Sequence, residues 1–380
     1  MTLPWARLLP VLIVLLHAAA GAQAGLKRCL KCKDDRLLAC PAHGGLDLDG
    51  EDDVLFCSFV AGCEACGGTG RIDCDGCSAP EAEAGLAKRR LANAGAAPGL
   101  AKLDEVMGRT LRKAESAHVV LVFELDELKV DKQRLDGHAL LHLYLARLEA
   151  LHAAYTGALG VEDQEFPKKP HVFVWSMVED HLEGSLRFCG TSAENGVKLL
   201  GHDPAYSVAG IKRLFKDDET LHRNLVHNTA HLLMSNQRPS DWVGQRKGGW
   251  ADEGIAHWFE DRFFGRCDNY CYQEVDTSHG GFKGGVWRPA VRKLVAGGDL
   301  PPAAAVMVKN TTVLEPAEHA LSFSYVDFLM AKDAAKLNQL LCRLRAKVET
   351  REAMQEIFGW NLIAFDDAWR AWVLATYPAR

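Results

Sequence analysis

His227 and His231 stand four residues apart in the stretch Thr220–Met234 (TLHRNLVHNTAHLLM). On a helix that spacing puts both imidazoles on one face, where they can ligate a single metal ion. The same pair taken alone also fits two ordinary, partly buried histidines. A second set of metal-ligand types lies near the N-terminus. Cys29-Leu-Lys-Cys32, Cys40-Pro-Ala-His43, Cys63-Glu-Ala-Cys66 and Cys74-Asp-Gly-Cys77 all carry a two-residue gap. Such a gap lets two side chains and the backbone NH groups between them wrap one tetrahedral ion. Adjoining glycines, here Gly67, Gly68 and Gly70, permit the positive φ angles of that turn. Four pairs supply eight ligands, enough for two closed sites of four. The competing reading of these cysteines is a disulfide module, because a secretory route is oxidising.

The pairs begin at positions 29, 40, 63 and 74, a rhythm of short, long and short gaps. This resembles the cysteine-rich zinc domain of DnaJ-type chaperones, whose repeat is CxxCxGxG. The resemblance covers Cys29–Cys77, and only the third pair carries the full repeat. It implies that the first pair joins the fourth and the second joins the third. One zinc would then take Cys29, Cys32, Cys74 and Cys77, and the other Cys40, His43, Cys63 and Cys66. No J-domain accompanies the module, so the fold and the zinc carry over and co-chaperone activity does not. Cys57 fits neither site.

Nineteen positions after His231, Trp250 opens the stretch Trp-Ala-Asp-Glu253-Gly254-Ile-Ala-His257-Trp-Phe-Glu260. Together with the histidine pair this resembles the glutamate-zincin (thermolysin-like) peptidases. In them an HExxH helix gives two His ligands, and a second helix beginning near W-x-x-E-G-x-A gives a Glu. The resemblance implies a site of His227, His231 and Glu253 with a fourth position open to water. It implies that Gly254 lets the backbone pass close to the metal helix. His257 is either a substitute ligand or simply a polar residue of the second helix, and Glu260 a supporting or surface carboxylate. The departure is Asn228, which stands where the family has its general-base Glu. An amide orients water but does not take its proton at neutral pH. The expectation is a metal-binding protein with weak or no peptidase activity, or a hydrolase whose base has moved to Glu219, Asp252 or Glu260. Glu318–Leu329 resembles the helix that follows in secreted bacterial members. That alignment makes His319 a candidate oxyanion donor, or else a plain surface histidine, with Ser322 as the small residue and Tyr325 further on.

These residues need elements to hold them. His118–Leu125 and His171–Ser176 read as strands, with an amphipathic helix over Leu135–Leu159 between them. The region therefore opens β–α–β, and the fold class is α+β: a mainly helical zincin-like domain with a small mixed sheet, plus a small zinc-stabilised N-terminal module. Two helices, joined by a loop over Ser235–Gly249, carry the metal ligands. Phe365–Tyr377 forms a helix whose Trp369, Trp372 and Val373 cap the core. The expected divisions are a signal peptide over 1–24, the cysteine module over 25–78, a partly helical Ala/Gly-rich linker over 79–112 and the large domain over 113–380.

Residues 1–24 combine Arg7, the apolar run Leu8–Leu16 and Ala22-Gln23-Ala24, the order of an export signal with its cleavage site. Export to the periplasm or beyond follows, with no stable membrane span once the leader is removed; an uncleaved anchor is the alternative. The chain has 380 residues, 44 basic and 50 acidic, and a net charge of −6. A balance of that sign disfavours a nucleic-acid partner and leaves a peptide or protein as substrate or ligand. A non-catalytic peptide-binding scaffold with purely structural zinc is the alternative class. Assigning seven of the 12 cysteines to zinc leaves Cys57, Cys189, Cys267, Cys271 and Cys342.

Overall fold

The computed structural model describes residues 29–32, 37–43, 54–76, 80–210, 215, 217–270, 285–298 and 300–379. The leader over 1–24, Cys77, Cys271 and most of the glycine-rich stretch 280–285 lie outside these residues.

Ten strands are present among the described residues: β1 Leu37–Ala39, β2 Val54–Cys57, β3 Arg71–Asp73, β4 Lys113–Ser116, β5 Val120–Phe123, β6 Glu127–Val130, β7 Gln133–Asp136, β8 His171–Trp175, β9 Val197–Leu199 and β10 Ala205–Ala209. Six of them form one mixed sheet in the order β2-β4-β5-β8-β10-β9. Its centre is parallel, with Val120 opposite His171 and His171 opposite Ala205, and its outer pairs are antiparallel. Alternate residues of a strand face opposite sides. Val120 and Val122 accordingly pack with Phe173 and Trp175 on one side, against Leu100, Leu103 and Met107 of helix α1 (Pro80–Met107). Leu121 and Phe123 pack with Val172 and Val174 on the other, against helices α2 (Gly137–Leu159) and α4 (Asp218–Asn236). Helix α3 (Val178–Cys189) shares the first side through Cys189.

The range expected as a linker thus holds one long helix seated on the sheet. The cysteine region is also joined to that sheet, because β2 pairs antiparallel with β4, Cys57 opposite Ala114. Strands β1 and β3 form their own two-stranded ribbon.

Beyond the sheet the chain is helical: α5 Gly249–Phe264, α6 Trp287–Gly297, α7 Ala303–Val306, α8 Pro316–Arg345, α9 Thr350–Phe358 and α10 Leu362–Thr376. Trp250, Ile255, Phe259, Phe323, Phe328 and Trp369 centre a second apolar core here. The architecture is α+β with a mixed sheet and a small cysteine-rich N-terminal region, as the sequence implies. Among the described residues no helix is long and apolar enough to cross a membrane.

Candidate metal centre

Helix α4 starts at an N-cap, Asp217, whose side chain accepts from the NH of Thr220. The helix carries His227 and His231 into the interior, at 0% and 1% exposure. Their Nε2 atoms face each other at 3.3 Å. Helix α5 brings Glu253 against them, with Oε2 3.8 Å from His227 Nε2 and Oε1 3.7 Å from His231 Nε2. Ligands about 2.0–2.2 Å from a tetrahedral ion stand roughly 3.3–3.6 Å apart, so these three side chains fit a cation between them.

The outer nitrogens support the same reading. His231 Nδ1 donates to Asp252 Oδ1 at 2.8 Å, and His227 Nδ1 to Glu260 Oε2 at 3.1 Å. A carboxylate on the far nitrogen fixes the tautomer and leaves the Nε2 lone pair pointing inward. Asp252 is itself held, its Oδ2 accepting from Trp242 Nε1 and Thr311 Oγ1, each at 2.8 Å. Glu260 Oε1 accepts from the Asp268 NH at 2.7 Å and from Asn269 Nδ2 at 2.7 Å.

Electrostatics follow from this packing. Burial pushes the His227 imidazole down to about 3, which keeps it neutral and able to ligate. Burial alone raises the Glu260 carboxyl, but the hydrogen bonds from His227 and His257 outweigh it and hold the group at about 2. For Glu253 burial is likewise opposed, by His319 and His231, and the carboxyl sits well below its ordinary range. Both Glu253 oxygens are nevertheless buried without a hydrogen bond of acceptable geometry. A fully buried, ionised carboxylate whose oxygens face the two Nε2 atoms is suited to ligate a cation held between the three side chains.

The remaining sequence candidates fall around this centre. His257 and His319 are buried, so neither is a surface histidine. His257 Nε2 lies 3.3 Å and His319 Nδ1 3.2 Å from Glu253 Oε2, and these two nitrogens are 3.1 Å apart. Asn228 bonds to groups other than the two histidines. Its Nδ2 donates to Asn224 O at 2.8 Å, and its Oδ1 accepts from Lys198 Nζ at 2.8 Å. Of the three candidates for a moved base, Asp252 and Glu260 are spent on the imidazoles. Glu219 pairs with Arg223 at 3.0 Å on the helix surface. Tyr325 packs edge-on against Phe365 and Trp369 in the helical core. Gly254 does permit a close approach, but to α8 and not to the metal helix. A Cβ there would stand 2.6 Å from Ser322 O and from Val326.

In the N-terminal region Cys40, His43, Cys63 and Cys66 gather with all four ligand atoms within 4.8 Å, and Cys29, Cys32 and Cys74 do the same. The Cys29–Cys74 and Cys40–Cys63 sulfurs are 3.8 and 4.0 Å apart. Sulfurs at about 2.3 Å from a tetrahedral ion stand about 3.8 Å apart, whereas a disulfide needs about 2.05 Å. No disulfide joins any described cysteines. First therefore meets fourth and second meets third. Gly67, Gly68 and Gly70 take φ of 58°, 79° and 71°, and Gly70 NH donates to Cys66 Sγ at 3.3 Å. These Cys/His groups could hold metal ions.

Two features were not read from the sequence. Lys198 reaches Asn228 from β9, a sheet edge distant in the chain. The pair His138 and His142 on α2 has the same four-residue spacing as His227 and His231, and that signal was available. No protein-family model matches this chain, and no curated protein matches it.

Proposed function

We propose that the protein is an exported zinc-binding relative of the glutamate-zincin peptidases with little or no proteolytic activity. The observation that carries this reading is the inward-facing His227–His231–Glu253 triad, backed by Glu260 and Asp252 and flanked by Asn228. The resemblance of the HxxxH and WxxEG stretches to that family's motifs supports reading the triad as its ligand set. Bound zinc would supply Lewis acidity to a carbonyl or a water. The chain's own groups do the rest. Glu260 and Asp252 orient the ligands, and Glu253 balances the charge. Asn228, held at both ends by Lys198 and the Asn224 carbonyl, takes no proton.

A cavity of about 580 Å³ reaches the outer side of the centre at Asp252, and its lining also includes Lys198, Leu199, Trp242 and Thr311. Strand β9 is the sheet edge along it. An edge strand beside a cleft suits an extended peptide, which adds backbone hydrogen bonds to it. Peptide binding without cleavage is the function that fits such a cleft beside a metal lacking a base. The two N-terminal Cys/His clusters would hold structural zinc, and residues 1–24 support export. One observation favours a wholly structural central ion: His257 and His319 crowd Glu253 closely enough for either to close the coordination.

The test uses the full-length protein. Zinc per chain is expected to fall by one in a His227→Ala/His231→Ala variant, and casein is expected to remain uncut by the native chain. Unchanged zinc content in that variant removes the central site. Chelator-sensitive cleavage by the native chain refutes the loss of activity.

A further inference from the structure

Cys57, left over by both cysteine clusters, ends β2 directly above the start of α2. We propose that Cys57, His138 and His142 form a fourth zinc site, which ties the edge strand of the cysteine region to the large domain. The three ligand atoms lie within 4.8 Å of one another. His138 Nε2 and His142 Nε2 face each other at 3.2 Å, close to the roughly 3.3 Å expected for two imidazoles on one tetrahedral ion.

The geometry is built and not incidental. Asp136 caps α2, its Oδ1 accepting from the Ala139 NH at 2.9 Å, and so fixes the turn that carries His138. The two histidines are one helical turn apart and share a face. The His138 ring stacks on Phe59, with centroids 4.6 Å apart. Cys57 is 2% and His142 8% exposed. Between them is a cavity of about 30 Å³ whose lining includes Cys40, His43, Cys57, Val60, His138 and His142. That space holds an ion and about one water. One thiolate with two imidazoles suits zinc, with a fourth position open to the cavity. Binding releases the Cys57 thiol proton to solvent. The site is separate from the His227 centre, and its failure leaves that reading standing.

Element-resolved metal analysis of the full-length protein tests it. Cys57→Ser, His138→Gln and His142→Gln are each expected to carry one zinc fewer than the native chain. The deficit adds to that of His227→Ala/His231→Ala. Iodoacetamide is expected to label Cys57 faster in folded His142→Gln than in the native protein. His138 is only partly buried, so His138→Gln preserves a readable fold if Cys57→Ser does not. Native zinc content in His138→Gln and His142→Gln overturns the proposal. Copper in place of zinc overturns the assignment of the ion. A deficit of two zincs in His138→Gln, with exchange protection lost across β1 and β3, reports collapse of the neighbouring cluster and also overturns it.

Discussion

Stripping zinc from the full-length protein is expected to release β1 and β3 while β2 stays in place. The ribbon of Leu37–Ala39 and Arg71–Asp73 is three residues on each side. A two-stranded ribbon of that size is marginal by itself. Among the described residues, little apolar side chain besides the cysteines is buried around the second cluster, chiefly Val60 at 6% exposure. What holds the region is therefore the ligand set. Structural zinc in small modules contributes about 10–16 kcal/mol at neutral pH, far more than so little apolar burial. Strand β2 has a second anchor, its pairing with β4. Hydrogen exchange after chelation is expected to show protection across β1 and β3 falling by about 10³-fold or more, equal to roughly 4 kcal/mol. Val54–Cys57 and α1 are expected to keep most of theirs. Equal protection of β1 and β3 with and without metal contradicts the metal-built ribbon.

The second large effect concerns Asn228. Installing the missing base by Asn228→Glu is expected to give little activity by itself. The new carboxylate would meet Lys198, whose Nζ now touches Asn228 Oδ1 at 2.8 Å. An adjacent cation lowers a carboxyl's pKa by about 1–3, away from the range useful to a base near neutrality. Replacing the lysine as well, in Asn228→Glu/Lys198→Met, removes that partner. Chelator-sensitive cleavage of casein is then expected to rise by about 10²–10⁴-fold over the native chain, the usual contribution of a general base. A double variant that keeps its full zinc content and gains nothing shows that more than the base is missing. The single variant matching the double one shows that Lys198 does not restrain the position.

Much of this arrangement is legible in the sequence where the signal is local. Four-residue and two-residue gaps encode shared faces and knuckles directly, so His227 with His231, and each cysteine pair, are read from spacing alone. The strands over His118–Leu125 and His171–Ser176 and the helix ending at Leu159 are likewise set by their own periodicity. What was hidden depends on partners far along the chain. The pairing of β2 with β4 joins positions some sixty residues apart. Gly254 opposes α8 because helix α5 packs there, which no local pattern states. Asp252 and Glu260 resemble candidate bases until the histidines' outer nitrogens are seen to claim them. The surface alternative for His319 fails because α8 is buried where it crosses α5.

Anomalous diffraction at the zinc edge, from crystals of the zinc-loaded full-length protein, tests the His227 centre most directly. The expected result is a peak about 2.0–2.2 Å from His227 Nε2, His231 Nε2 and one oxygen of Glu253, with Asn228 still bonded to Lys198. A map with peaks at the cysteine clusters and none between those three side chains contradicts it.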